Sequence, residues 1–142
     1  MNIKAMIDGQ IIYDVLRNND NCEESLKILD YAQKGEYKGY VSCLDLLGMS
    51  NGEDSTSLRN IYEVLNSIFT IVDLKWIDLK RALKSDKIGF GVKIMQAKRI
   101  KADILICRDA KKHIASKIEV VEPKEFIRMI ENGKELKQKK YL

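Results

Sequence analysis

Asp8 is the residue of this sequence best placed to do chemistry. It follows Asn2-Ile3-Lys4-Ala5-Met6-Ile7, which reads as a short apolar strand, and precedes Ile11, Ile12, Val15 and Leu16, which recur at helical spacing. In a doubly wound α/β protein, ligands and metals gather at the tip of such a strand. Asp8 is therefore either the first carboxylate of an active site or a cap on the helix that starts near Gln10. Other chemistries lack parts. His113 is the only histidine, which excludes a multi-histidine metal site and leaves His-based chemistry to His113 acting alone; it reads as a surface residue rather than a catalytic base. Gly89-Phe90-Gly91 follows Lys84-Ser85-Asp86-Lys87 rather than a strand, and no third glycine completes a dinucleotide fingerprint. Cys22, Cys43 and Cys107 have no CxxC spacing, so they read as reduced thiols, with Cys43 and Cys107 expected as small buried residues at strand ends. Carboxylates remain.

The elements that must position them alternate between strand and helix. After the first pair, Cys22 opens a second helix with Cys22, Leu26 and Leu29 on one face, and Gly35 marks its end. Gly39–Cys43 is aromatic and β-branched, hence a strand. Leu44–Met49 makes a short helix, and the polar stretch Ser50–Ser55 is the clearest loop. Leu58, Ile61, Tyr62, Leu65, Ile68 and Phe69 follow at offsets of three and four, an amphipathic helix. Thr70–Leu74 is a strand. Trp76, Leu79, Ala82 and Leu83 predict the buried stripe of the next helix, and Val92, Ile94, Met95 and Ala97 lie in another. Asp103–Cys107 suits a central parallel strand, Ile118–Val121 is the last strand, and Pro123 opens a closing helix. Five strands separated by helices imply a parallel sheet covered on both faces.

Composition sets the frame. The 142 residues predict one domain, and 45% apolar with 32% charged residues fits a globular protein. Every apolar run is broken by charge within about ten residues, so no membrane span is expected. The first residues lack the apolar stretch of a signal peptide, which points to the cytoplasm. Net charge is only +4, yet Lys93, Lys98, Arg99, Lys101, Arg108, Lys111, Lys112 and Lys117 crowd the last third. Such a distribution suits a nucleic-acid partner or a solvated lysine-rich face.

At this point the chain resembles a family. Met6-Ile7-Asp8 leading into Ile11-Ile12-Tyr13-Asp14-Val15-Leu16, then Glu24–Leu29 and Lys38–Ser42, is similar to the opening of a PIN domain of the VapC toxin type. Ala97–Asp109, then Ile118–Val121 and Glu122–Phe126, is similar to that family's closing elements. The resemblance implies a three-layer α/β/α sandwich with a five-stranded parallel sheet in the order 3-2-1-4-5. It implies a PIN-like domain over 1–133, and Lys134, Lys137, Lys139 and Lys140 make 134–142 a basic C-terminal tail. It also implies descent from metal-dependent RNases in which three or four acids hold Mg²⁺ or Mn²⁺.

Carried onto this sequence, the catalytic and metal-binding acids are Asp8 and Asp109, with Cys107 where relatives have a hydroxyl residue. Two acids of the pattern are missing. Gly48 stands at one position and Lys87-Ile88-Gly89-Phe90 at the other, leaving Asp45 and Asp86 as possible substitutes; Asp45 would need its helix rotated. Lys112 occupies a place often held by an acid. The resemblance places Asp14 near the site in many relatives, though it reads equally as a solvated helical residue. Two carboxylates support one weakly held ion at most, so Mg²⁺ or Mn²⁺ binding is expected to be weak or absent. The expectation is a relative of toxin–antitoxin endoribonucleases with nuclease activity weak or lost. The alternative is an inactive module binding RNA or a protein partner through the basic last third, with Arg108, Lys111 and Lys112 as nucleic-acid contacts. An antitoxin-like protein and a second copy of the chain are the partners implied.

Overall fold

Short apolar runs between polar turns become strands here, and longer runs spaced by three and four become helices. The computed structural model describes residues 3–50, 54–108 and 118–140, with side chains to 133. Chain order is β1 (Lys4–Ile7), α1 (Gly9–Leu16), α2 (Cys22–Gln33), β2 (Lys38–Ser42), α3 (Cys43–Gly48), α4 (Ser55–Ile68), β3 (Thr70–Val72), α5 (Trp76–Ala82), α6 (Ile88–Arg99), β4 (Ile104–Ile106), β5 (Glu119–Val121) and α7 (Pro123–Lys140). The five strands form one sheet in the order β3-β2-β1-β4-β5, every pair parallel. This is the α/β, PIN-like arrangement expected.

Strand alternation divides the core into two layers. Ala5 and Ile7 of β1, Val41 of β2 and Ile104 and Ile106 of β4 face one cluster, which takes in Ile11, Ile12, Ile28, Leu65 and Phe126 from the helices. Met6, Tyr40 and Leu105 point the other way, toward Ala97 on α6. Because both faces are covered, the inner positions of these strands are buried and largely apolar: Ala5–Ile7, Gly39–Val41 and Ile104–Ile106. Gly35 ends α2 at φ +75°, with Glu36 N–H donating to the Tyr31 carbonyl at 2.9 Å and Gly35 N–H to that of Ala32 at 3.0 Å. That left-handed closure is the one glycine favours. Asp54 caps α4 by accepting from Ser57 N–H at 2.8 Å. Residues 51–53 of the expected loop lie outside the described residues. The helical backbone of α7 continues past residue 133 through Lys140.

Three local expectations are corrected. The buried face of α2 is Ser25, Ile28 and Ala32, while Leu26 is exposed and Cys22 and Leu29 are half-buried. The helix is turned by roughly one position because Ser25 hydrogen-bonds inward to Asp14. On α5, Trp76 (69% exposed) and Leu83 (56%) face outward, and the buried positions are Asp78 and Ala82. Here Arg99 draws Asp78 inward, with its Nε 3.1 Å from Oδ1 and its Nη2 2.9 Å from Oδ2. Finally, β2 ends at Ser42, so Cys43 starts α3 and is half-buried; Cys107, after β4, is buried as expected. No helix among the described residues is long and apolar enough to cross a membrane.

Candidate functional site

Parallel strands deliver their carboxyl ends to one edge of the sheet. Asp8 lies immediately beyond β1, and its N–H continues the ladder by donating to the Ile106 carbonyl of β4 at 2.9 Å. The β1–β2 register pairs Ile7 with Val41, which sets Asp8 level with Ser42, the last residue of β2. The chain turns there into α3, whose first turn carries Asp45. Asp8 occupies the N-cap position of α1, yet its side chain makes no capping hydrogen bond. Instead Asp45 Oδ2 accepts from Gly9 N–H at 3.0 Å, satisfying an open donor at that helix end from across the sheet edge.

Between the two carboxylates stands Lys93 of α6. Its Nζ donates to Asp8 Oδ1 and lies 2.7 Å from Asp45 Oδ1. All three side chains are largely enclosed, with exposures of 24% (Asp8), 12% (Asp45) and 17% (Lys93). Burial alone would lower the Lys93 pKa, but Asp45 and Asp8 outweigh it and hold the ammonium above its usual range. Burial pushes Asp45 up, and Asp8 beside it adds to that, against the opposing pull of Lys93 and the Gly9 N–H. One ammonium thus serves two acids.

Neighbouring contacts fix α6 in place. Gln96, one turn beyond Lys93 on the same face, is fully buried; its Oε1 accepts from Ser42 Oγ at 2.7 Å and its Nε2 donates to the Asp73 carbonyl at 3.0 Å. Gly9 shows how close the packing is. A Cβ there would lie 2.6 Å from Asp45 Cγ and 2.7 Å from its Cβ, so only glycine lets α3 approach α1 this closely. Gly9→Ala should cost about 1–3 kcal/mol by overpacking, measured by urea unfolding; a loss below about 0.5 kcal/mol would refute it.

A second polar cluster adjoins the first along α1. Asp14 is 1% exposed, and its carboxylate accepts from Asn19 Nδ2 at 2.7 Å, Gln10 Nε2 at 3.3 Å, Ser25 Oγ at 2.9 Å and the Arg108 guanidinium through Nε at 3.0 Å and through Nη2. Burial would raise the Asp14 pKa, but these donors together hold it below the usual carboxylate value. Arg108 follows β4 and also reaches Ser25 Oγ at 2.9 Å and Glu24 at 3.6 Å. The guanidinium expected to meet nucleic acid is therefore spent on internal acids, as are Lys93 and Arg99 of the same basic third.

Of the sequence-derived site residues, Asp8 and Asp45 come together. Asp86 is exposed in the turn before α6 and stands outside the cluster. Asp109, Lys111, Lys112 and His113 lie outside the described residues. Lys93 was not singled out by sequence reasoning. The available signal was its position one turn beyond Phe90, where the resemblance would have placed an acid. Mg²⁺ takes six oxygens near octahedral geometry at about 2.0–2.1 Å. With an ammonium held by both carboxylates, Asp8 and Asp45 do not fit that requirement. Among the described residues, no group of three or more Asp, Glu, His or Cys side chains is placed to hold a metal ion.

No protein-family model matches this chain, and no curated protein matches its sequence. Solved structures do share its fold. FitAcB from Neisseria gonorrhoeae superposes with a TM-score of 0.61 at 17% identity, over 84% of this chain and 97% of that one. VapBC2 from Rickettsia felis, bound to a DNA fragment from their promoter, gives 0.60 at 12% identity over 84% and 98%. FitAB bound to an IR36 DNA fragment gives 0.58 at 17% identity over 84% and 94%. Identities this low establish likeness of fold alone.

Proposed function

We propose that this chain is a PIN-like protein related to the metal-dependent endoribonucleases of toxin–antitoxin systems, with its nuclease activity weak or lost. The observation that supports this most is Lys93 standing between Asp8 and Asp45 at the carboxyl edge of the sheet. A nuclease of that class relies on a bound Mg²⁺ or Mn²⁺ to stabilise charge developing on a phosphodiester. Here both carboxylates are already committed to an ammonium. Asp109, the further acid that the resemblance assigns to this edge, adds one negative charge, which leaves too little for a pair of ions.

The test is labelled single-stranded RNA with Mn²⁺ or Mg²⁺, comparing the protein with Asp8→Asn. The expected result is no cleavage beyond the level of the variant. Cleavage that requires both the metal and Asp8 would overturn the reading.

A second reading, an inactive module for a protein partner, draws on a specific feature. Ile12 and Leu16 of α1, Leu29 of α2, and Val64, Leu65 and Ile68 of α4 line an apolar groove of about 270 Å³. Such a surface suits the apolar face of a partner helix better than RNA. An antitoxin-like protein is the partner that the resemblance implies, and a second copy of the chain is the other.

A further inference from the structure

We infer that Lys93 is the resident cation of this site, a tethered ammonium that takes the place of a divalent ion and closes the sheet edge to metal. The inference rests on the proposed reading and deepens it, since it names the group responsible for the loss.

Three features distinguish this arrangement from an incidental surface ion pair. First, one Nζ serves carboxylates from two different elements, Asp8 at the tip of β1 and Asp45 in the first turn of α3, at 2.7 Å from Asp45 and in direct contact with Asp8. Surface pairs of a lysine with an acid are usually one-to-one and loosely held. Second, the partners are fixed from outside the pair. Asp45 is held by Gly9 N–H, and the Lys93 backbone is set by Gln96, which ties α6 to Ser42 at the end of β2. Third, charge balance is local. Two carboxylates against one ammonium leave the trio at about one negative charge, or about two with Asp109 where the resemblance puts it, yet a divalent ion entering beside Lys93 would still meet a positive charge within a few ångströms. At 4 Å that repulsion is large at any dielectric appropriate to a half-buried site. Metal entry therefore requires Lys93 to leave.

The test is calorimetric titration of the full-length protein with Mn²⁺, comparing wild type with Lys93→Met and Lys93→Ala, each checked for folding by circular dichroism. Methionine keeps the apolar stem and removes the charge. Both variants should bind Mn²⁺ at least about tenfold more tightly than wild type. Adding Asp8→Asn to Lys93→Met should abolish the gain. A folded variant with no gain would overturn the inference, as would wild type binding Mn²⁺ as tightly as the variants.

If neither variant folds, the wild type still decides the matter. Lys93 should be among its least modified lysines under limited amine acylation read by mass spectrometry, and 1 mM Mn²⁺ should leave that protection unchanged. Acylation of Lys93 that rises severalfold with Mn²⁺ would show a metal displacing it and refute the inference. Metal- and Asp8-dependent RNA cleavage would instead overturn the proposed function. Mn²⁺ affinity indifferent to Lys93, without cleavage, would sink this inference alone.

Discussion

Asp14→Ala should destabilise the fold by about 3–5 kcal/mol, the cost of removing one partner from a buried ion pair. The carboxylate is 1% exposed and is the shared acceptor for Asn19, Gln10, Ser25 and Arg108. Truncation leaves the Ser25 hydroxyl and a guanidinium only 24% exposed without their main acceptor. Most of the penalty comes from the orphaned partners, so Asp14→Leu combined with Arg108→Met should cost less than Asp14→Ala alone. Urea unfolding of the three proteins measures this. A single-variant loss below about 1 kcal/mol would show that the cluster is not energetically coupled.

The same carboxylate sets the acid limit of the protein. Asp14, and Asp78 beside Arg99, are both held below the usual carboxylate value; burial opposes the shift in each, and it is outweighed at Asp14 by hydrogen bonds from Asn19 and then Arg108, and at Asp78 by those from Arg99 and the Lys75 N–H. A carboxyl whose folded pKa is depressed binds its proton less readily in the native state than in the unfolded chain. Its stabilisation is therefore complete above the unfolded value and is lost as pH falls through the lowered one. The contribution of Asp14 and Asp78 should be level above the unfolded value and fall as pH drops below 3.8, while Asp45, whose raised pKa lets the native state take its proton more readily, works in the opposite direction at higher pH. Asp14→Ala should flatten that acid limb, as thermal melts at a series of pH values would report.

Phe126→Ala is the other large effect, at about 3–5 kcal/mol. Phe126 is fully buried at the start of α7 and meets the Tyr37 ring edge-on, with centroids 4.8 Å apart at 83°. Tyr37 in turn donates its hydroxyl to the Ile28 carbonyl at 2.8 Å, so the ring pair joins α7 to α2. Removing the phenyl leaves a cavity walled by elements that cannot collapse independently. Phe126→Leu, which keeps most of the volume, should cost only about 1–2 kcal/mol. Equal losses for leucine and alanine would mean that α7 undocks rather than leaving a cavity.

Where hydrophobic period and element agree, the sequence was sufficient. The apolar run of Ile104–Ile106 is an interior strand, paired on both sides, as its apolar character implied, and the strand–helix alternation leads to a sheet covered on both faces. Pro123 opens α7 and Gly35 closes α2, each for a reason local to its own backbone. The pattern misled on α2 and α5, where a buried polar residue took an inward position: Ser25 drawn by Asp14, and Asp78 drawn by Arg99. Hydrophobicity cannot anticipate a buried acid whose partner lies 21 residues away.

The candidate site shows the same division. Asp8 was legible because a strand tip follows from local period, and its neighbour Asp45 was visible as an acid one turn from the pattern. That the two meet around Lys93, 85 residues from Asp8, belongs to tertiary structure alone. The azimuth of a helix is ordinarily set by the apolar face it buries, but α3 has no fully buried residue and packs only Leu46 against the core. Hydrogen bonds to other elements complete its placement: Gly9 N–H to Asp45, and Tyr62 Oη to the Leu46 carbonyl at 2.6 Å. Those bonds exist only once α1, α3 and α4 are packed, so no pattern within residues 43–48 could have revealed which way Asp45 would point.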